Sequence, residues 1–217
     1  KVVDFKFKTL GEIADIKSGN PAPQGNRFFD KGEFPFIRTA DVGKIKEGEI
    51  YSTQDYLNAE GIKKLKKFSK GSILFPKSGA STLLNHRVIM GIDAYVSSHL
   101  AVIKGQNKKV EDKFLFYLLK QIDTKNLVPN PSYPSLNIEE ISIIELPIPD
   151  LNTQNEIIDE LDKYQKIIDG CKQIIKNYTP SIEINPTWDK IKLRDIIKLS
   201  SGRGLTQNKF KKGNYNV

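Results

Sequence analysis

Residues 152–178 read NTQNEIIDELDKYQKIIDGCKQIIKNY, and this stretch decides how the chain is organised. Its apolar and aromatic residues recur every seven positions in two interleaved series, Ile157, Tyr164, Cys171 and Tyr178 in one and Leu161, Ile168 and Ile175 in the other. A stripe sustained for about three heptads is typical of a coiled-coil seam. The pattern therefore predicts a spacer helix, a rod of about 40 Å. Its seam needs a partner helix or, alternatively, a globular domain to pack on.

The ends of this helix divide the chain into three parts. Asn152 or Thr153 is a candidate cap, and Glu156 follows Thr153 at the spacing of a capping box. Pro180 ends the helix, because proline cannot donate a backbone hydrogen bond. We therefore expect a globular domain at 1–150, the spacer helix at 151–180 and a further segment at 181–217.

Residues 1–150 alternate short apolar runs with turn-forming stretches and predict an α+β domain. The predicted strands are 34–38, 73–76, 87–90, 94–103 and 141–148, and the predicted helices are 55–68 and 110–121.

The start of the third part repeats the start of the first. Leu10, Ile13, Ser18 and Gly19 recur 183 residues later as Leu193, Ile196, Ser201 and Gly202, and after a two-residue gap Phe29, Lys31, Gly32 and Phe34 face Phe210, Lys212, Gly213 and Tyr215. A period near 180 is too long for a solenoid and fits a duplicated domain plus its connecting helix. We therefore expect 181–217 to open a second, truncated copy. Residue 1 is Lys, so we also expect the sequence to be a piece of a longer chain.

Composition excludes several classes of protein. The chain has 217 residues and a net charge of +8, and 38% of its residues are hydrophobic, enough for a core. The sequence predicts neither a membrane helix nor a signal peptide. The chain has one cysteine, Cys171, so it cannot form an intrachain disulfide. With only two histidines, His86 and His99, it has few candidate ligands for a metal site. Residues 186–217 carry a net charge of +6. This basic segment is either a phosphate-binding surface or a solvated flank.

Five stretches together resemble the specificity subunit of Type I restriction-modification enzymes. They are LGEIADIKSG at 10–19, PFIRTADV at 35–42, GSILFPKSGAS at 71–81, SSHLAVI at 97–103, and the junction IPDL at 148–151 with Gln154 and Glu156-Ile157-Ile158. The resemblance covers the whole chain, and the junction is its most specific part. The chain departs from the family in length, since most of a second domain and a second helix are missing.

The resemblance implies a target-recognition domain followed by a coiled-coil spacer helix. It implies a subunit without catalytic activity, cofactor or metal, which reads one half of a bipartite site in double-stranded DNA. The implied partners are methyltransferase subunits and, through the complex, the restriction/translocase subunit. Self-association through the spacer helix is also expected, as is a cytoplasmic location without membrane contact.

DNA reading needs basic groups for phosphates and amide or guanidinium groups for base edges, and loops present these best. The candidate contacts are Gln24, Asn26, Arg27, Arg38, Thr39, Lys77, Ser78, Gly79, Ser81, Asn85, His86, Arg87 and Tyr133. Among them, Arg87 has the geometry for a bidentate guanine contact. A run at Lys63, Lys64, Lys66 and Lys67 offers phosphate contacts. The alternatives are a tight turn at 77–81, solvated loops elsewhere and a solvated lysine-rich helix face.

Other functions are less well supported. Residues 130–133, NPSY, approach the NPPY motif of adenine methyltransferases but lack its second proline, and no Gly-x-Gly nucleotide loop precedes them. We expect His99 to be a buried structural residue. Two alternatives to a separate recognition subunit remain open: the C-terminal recognition region of a single-chain restriction-methylation enzyme, and a helix-mediated scaffold with no DNA role.

Overall fold

A computed structural model describes residues 4–179, 186–198 and 200. The chain divides into two compact units, Lys1–Cys171 and Lys172–Val217. The elements, in chain order, are β1 (Lys6–Thr9), α1 (Leu10–Ile13), β2 (Ala14–Ser18), β3 (Phe34–Ile37), α2 (Thr39–Ile45), β4 (Glu47–Ile50), β5 (Asp55–Leu57), β6 (Lys67–Phe68), β7 (Ile73–Pro76), β8 (Arg87–Met90), β9 (Ala94–Val96), β10 (Leu100–Gly105), α3 (Asp112–Lys120), α4 (Ile138–Ser142), β11 (Glu145–Ile148), α5 (Leu151–Asn177) and α6 (Leu193–Ile196).

The first unit is built on three sheets, which confirms the predicted α+β class. Five strands pair in the order β2-β10-β7-β8-β4, four pair in the order β5-β3-β9-β6, and β1 pairs with β11. The pairs are antiparallel except β4 with β8 and β3 with β9. Because side chains alternate along a strand, β10 sends Ala101 and Ile103 into one apolar cluster and Val102 into another.

Three predicted elements within residues 1–150 are wrong. Residues 94–103 are not one strand, because a turn at 97–99 separates β9 from β10. Residues 55–68 are not a helix: β5 pairs with β3, β6 pairs with β9, and turns lie between them. The side-chain oxygen of Asn58 accepts from the backbone of Glu60 and Gly61, and its amide donates to the carbonyls of Arg27 and Asp30. These tertiary bonds outweigh the helix propensity of the lysines. The predicted strand 141–148 is shortened by α4, whose capping box joins Asn137 and Glu140.

A long helix is confirmed at the predicted place as α5, with a different cap. Asp150 accepts hydrogen bonds from the backbone N–H groups of Asn152 and Thr153, at 2.9 and 3.0 Å, and from the Thr153 hydroxyl at 2.7 Å. These bonds lower the pKa of Asp150, since they favour its charged form. The cap is therefore Asp150 rather than Asn152 or Thr153.

The second unit repeats a local conformation of the first. The residues before α1 and α6, Thr9 and Lys192, have φ/ψ of −71/150 and −67/133 degrees, and the residues after them, Ala14 and Ile197, have −140/150 and −132/147 degrees. The backbone thus recurs at the 183-residue period. The matches at Ser201, Gly202, Phe210, Lys212, Gly213 and Tyr215 lie outside the described residues.

Within residues 4–179 and 186–198, no helix is both long and apolar enough to cross a membrane.

Candidate nucleic-acid interface

Strand polarity brings most of the predicted contact segments to one edge of the first unit. β2 and β7 both run antiparallel to β10, so β2 and β7 end where β10 begins. β3 and β9 run parallel and end together. β8 begins at this edge, because it runs antiparallel to β7. β5 and β6 also begin there. We call this side the loop edge; it carries residues 38–39, 63–66, 77–87 and 97–99, and the 19–27 segment starts there.

The 97–99 turn joins the two larger sheets at the loop edge. The backbone N–H of Ser97 donates to Ile37 at 2.9 Å, and that of Ser98 donates to Asn20 at 2.7 Å. Gly19 lies so close to this turn that an added Cβ would sit 2.2 Å from the Ser97 oxygen. His99 is exposed, so its expected burial is wrong. Sequence reasoning missed this turn because nothing local to it indicates that two sheets meet there.

The 19–27 segment presents the most accessible of the candidate polar side chains. Gln24, Asn26 and Arg27 are all exposed. Gln24 donates only to the nearby carbonyl of Ala22, at 3.1 Å, and the Arg27 guanidinium lies 4.6 Å from the ring centre of Phe28. Stacking on an aromatic ring limits the motion of a guanidinium while leaving its N–H donors free. This segment, which starts at the loop edge, therefore offers two amides and a guanidinium to solvent.

The 38–39 position is more enclosed. Arg38 pairs with Asp55, and its guanidinium lies 5.5 and 5.1 Å from the ring centres of Phe29 and Phe36. Its backbone N–H donates to the buried carboxylate of Asp41 at 2.8 Å, and Thr39 is half-buried at the start of α2. Arg38 and Thr39 lie at the loop edge, with Arg38 already bound to a carboxylate.

The predicted contact segments 77–81 and 130–133 lie side by side. The backbone N–H of Gly79 donates to Pro134 at 2.9 Å, that of Leu136 donates to Lys77 at 2.8 Å, and Ser78 forms a β-bridge with Ser135. Between the segments lies a largely apolar cavity of about 540 Å³, lined by Gly79, Ala80, Leu83 and residues 131–135. Tyr133 is 81% exposed at this cavity. An aromatic ring beside an apolar cleft can receive a base edge or a thymine methyl group.

Gly79 has the backbone conformation that permits this turn, with φ of +76 degrees. Ser81 is half-buried, and its hydroxyl donates to the Ser78 carbonyl at 3.1 Å. The tight turn expected at 77–81 is therefore confirmed, and Gly79 is exposed on it, while the DNA contact of this segment stays a prediction.

Asn85 mainly holds this segment in place. The Asn85 side chain accepts from the backbone N–H and the hydroxyl of Thr124, at 2.9 and 2.6 Å, and donates to Asp123 at 2.9 Å. His86 is half-buried, and burial, followed by the charges of Lys46 and Arg87, lowers its pKa. Asn85 is thus occupied by structural hydrogen bonds.

Arg87 is fully buried, so the structure does not support its predicted contact with guanine. Its guanidinium lies 3.6 Å from the ring centre of Phe75, and Nη1 donates to the His86 carbonyl at 2.7 Å. Within the part of the chain that the structure describes, Nε and Nη2 have no hydrogen-bond partner. Burial lowers the pKa of Arg87 to about 9, so the group keeps its charge at neutral pH.

The first turns of α5 are attached to the domain by polar contacts. The side chain of Gln154 is fully buried: its oxygen accepts from the backbone of Glu111 at 2.9 Å, and its amide donates to Lys109 and Pro149 at 3.2 and 3.0 Å. Two turns later, Asp162 accepts from Lys113 at 2.6 Å and from Tyr117 at 2.7 Å.

The predicted seam therefore has two parts. Ile157 packs against the domain's apolar cluster, and Leu161 is half-buried. The remaining positions are exposed: Tyr164, Ile168, Cys171, Ile175 and Tyr178. Packing on the domain accounts for the start of the stripe only.

Among the described residues, no group of three or more histidine, cysteine, aspartate or glutamate side chains has the arrangement to hold a metal ion.

Residues 2–177 match the family described as Type I restriction modification DNA specificity domain. The chain is 31% identical over 180 residues to the Type I restriction enzyme MjaIX specificity subunit of Methanocaldococcus jannaschii, covering 79% of this chain and 40% of the relative. It is 35% identical over 188 residues to the MpnII specificity subunit of Mycoplasma pneumoniae, covering 84% and 49%. This chain thus spans less than half the length of either relative.

The fold is similar to that of the HsdS subunit from Thermoanaerobacter tengcongensis. The TM-score is 0.60 at 20% identity, covering 78% of this chain and 39% of the other.

Proposed function

This chain belongs to the family of Type I restriction modification DNA specificity domains, and from that premise we propose that its first unit reads one half of a bipartite site in double-stranded DNA. The chain has no catalytic task in this proposal. It directs an adenine methyltransferase, and through the assembled complex an endonuclease, to the site.

One observation carries the proposal: the loop edge gathers segments that are far apart in sequence. Residues 38–39 and 77–87 and the start of the 19–27 segment meet there, because the strand that precedes each of them ends on the same side. A surface that contacts both backbone and base edges needs several loops in one place. The contact of 77–79 with 134–136 adds Tyr133 to the same surface.

The proposed base and phosphate contacts form two groups. Gln24, Asn26 and Arg27, all exposed, form one. The half-buried Lys77, Ser78 and Ser81, with the exposed Gly79 and Tyr133, form the other. Arg38 and Thr39 lie beside the first segment. To contact DNA, Arg38 must break its ion pair with Asp55. Asn85 positions the second segment through its bonds to Asp123 and Thr124, and the half-buried His86 stays a candidate DNA contact beside it.

The exposed part of α5 is the proposed partner surface. From Tyr164 to Tyr178 the seam residues lie in solvent, and an apolar stripe of this kind is stabilised by a second helix. In the proposal that helix belongs to a matching specificity domain, covalently linked or in a second copy, and the methyltransferase subunits dock on the resulting pair.

Selection from a randomised duplex pool tests the proposal, with and without the methyltransferase subunit, at several salt concentrations. We expect one short motif to be enriched, more strongly with the methyltransferase present. Arg27→Ala is expected to cost about 1–3 kcal/mol and to relax one position of the motif, whereas Lys163→Gln, an exposed change on α5, leaves the motif unchanged. Absence of any enriched motif with the partner present contradicts the proposal and favours a scaffold.

A further inference from the structure

A basic cavity lies beside the loop edge, at the margin where β2 and β6 meet. Its volume is about 220 Å³, and its charged lining consists of Asp15, Lys17, Lys66, Lys67 and Lys104. β2 is the last strand of its sheet and β6 the last strand of the other, so the cavity opens at the side of the first unit. Four ammonium groups face one carboxylate, which leaves a local excess of positive charge.

Two of these lysines are already committed to carboxylates. Lys104 pairs with Asp112, and the Lys67 ammonium lies 3.4 Å from a carboxylate oxygen of Asp93. Lys17 and Lys66 differ: among the described residues, neither is within 4.0 Å of a carboxylate oxygen. They are the groups available to a further anion.

Lys17 and Lys66 line the same cavity. The neighbouring Lys17, followed by desolvation, lowers the pKa of Lys66, while the charge of Asp15 acts in the opposite direction. Two neighbouring ammonium groups repel each other, and an anion between them replaces that repulsion with two charge-assisted hydrogen bonds.

The backbone of Lys66 is fixed at this place. The side chain of Asn20 is 7% exposed; its oxygen accepts from the Lys66 N–H at 2.7 Å, and its amide donates to the Lys66 carbonyl at 2.8 Å. Asn20 also lies at the start of the 19–27 segment, which contains Arg27. The lysine pair is therefore held at a constant position relative to the start of a proposed base-reading segment.

We propose that Lys17 and Lys66 jointly bind one backbone phosphate of the DNA whose bases contact the loop edge, and thereby set the register of the domain on the duplex. This inference rests on the proposed function. A phosphate diester supplies the single negative charge and the acceptor oxygens that two ammonium groups require. Contacts to phosphate position a protein on DNA without carrying sequence information.

The test compares Lys17→Gln, Lys66→Gln and the double variant of the 217-residue chain with the control Lys163→Gln. DNA affinity is measured across a salt series, and motif selection is repeated. We expect each variant to lose about tenfold in affinity on every sequence and the salt slope to fall by about 1. Because both lysines hold one phosphate, the double variant is expected to lose little more than either single variant. Lys17→Arg and Lys66→Arg, which keep the charge, restore binding.

Neutralising one phosphate at a time with methylphosphonate locates the contact. One position is expected to weaken the wild type and to have no effect on the double variant. An unchanged affinity and slope in the double variant, or a changed motif, overturns the inference. Titration with pyrophosphate, followed through the lysine ammonium NMR signals, distinguishes a free anion from a DNA phosphate as the ligand. If pyrophosphate saturates the Lys17 and Lys66 signals without any effect on DNA binding, the site binds a free anion and the DNA assignment is overturned. If no motif is selected but the salt slope still depends on both lysines, the phosphate site stands while the proposed function fails.

Discussion

Replacing Gln154 with Leu is expected to loosen the attachment of α5 to the domain. The side chain makes three hydrogen bonds, at 2.9, 3.0 and 3.2 Å, and is fully buried. A buried hydrogen bond contributes about 1 kcal/mol net, so losing all three costs about 3 kcal/mol. Leu fills nearly the same volume, which keeps a cavity from adding to this cost. For a chain of this size the midpoint of thermal unfolding falls by about 6–12 °C.

Urea unfolding and amide hydrogen exchange at the start of α5 measure the effect. The matched control is Gln165→Leu on the same helix, where the side chain bonds only Asp169, at 3.0 Å. We expect this control to change stability by less than about 0.5 kcal/mol. If Gln154→Leu costs no more than the control, the helix is held by its apolar contacts rather than by Gln154, and the reasoning is refuted.

Gln154→Glu extends the same argument to pH. A carboxylate at this position faces the carbonyls of Lys109 and Pro149, which disfavour its charged form and raise its pKa. Because the folded pKa then exceeds the unfolded one, this variant is expected to gain stability relative to Gln154→Leu as the pH falls from 7 towards about 4. A pH-independent difference between the two variants contradicts the assigned hydrogen bonds.

Three further changes are expected to separate structural from DNA-contacting residues. Gly19→Ala places a Cβ against the Ser97 oxygen and lowers stability by more than about 2 kcal/mol in urea unfolding, whereas Gly170→Ala, which meets nothing within 4 Å inside α5, raises it by up to about 1 kcal/mol. Arg87→Met removes an incompletely paired buried charge, so the urea midpoint is expected to stay the same or rise. DNA affinity is expected to change less than about twofold. A tenfold loss of affinity would show that Arg87 contacts DNA. Burial raises the pKa of Asp162, but the hydrogen bonds from Lys113 and Tyr117 outweigh it, so the pKa is lowered. The stability that this carboxylate contributes is therefore present at neutral pH and is lost as the pH falls below about 4. Asp162→Asn is expected to lack this acid-dependent loss in a pH series of unfolding curves.

The residue pattern alone was sufficient for the long helix α5, the α+β class and the recurring local conformation at α1 and α6. A heptad stripe depends only on which residues recur at a fixed spacing, so the helix Leu151–Asn177 follows from the sequence within a few residues. The 183-residue repeat likewise predicts the matching conformations around α1 and α6. The error at 55–68 has the opposite origin. Asn58 binds Arg27 and Asp30, and β5 and β6 pair with β3 and β9; these partners lie outside the segment, and their hydrogen bonds override local helix propensity.

For the interface, the sequence determined which segments carry amide, guanidinium and ammonium groups, because those groups are a property of the residues themselves. Which groups reach solvent was decided by tertiary structure alone. Arg27 is exposed and Arg87 is buried against Phe75, although both are arginines in turn-rich surroundings. The pairing of Lys17 with Lys66 depends on the bonds of Asn20 across 46 residues. Burial and proximity arise from strand order and register, which join residues far apart in the chain, and no local pattern encodes them.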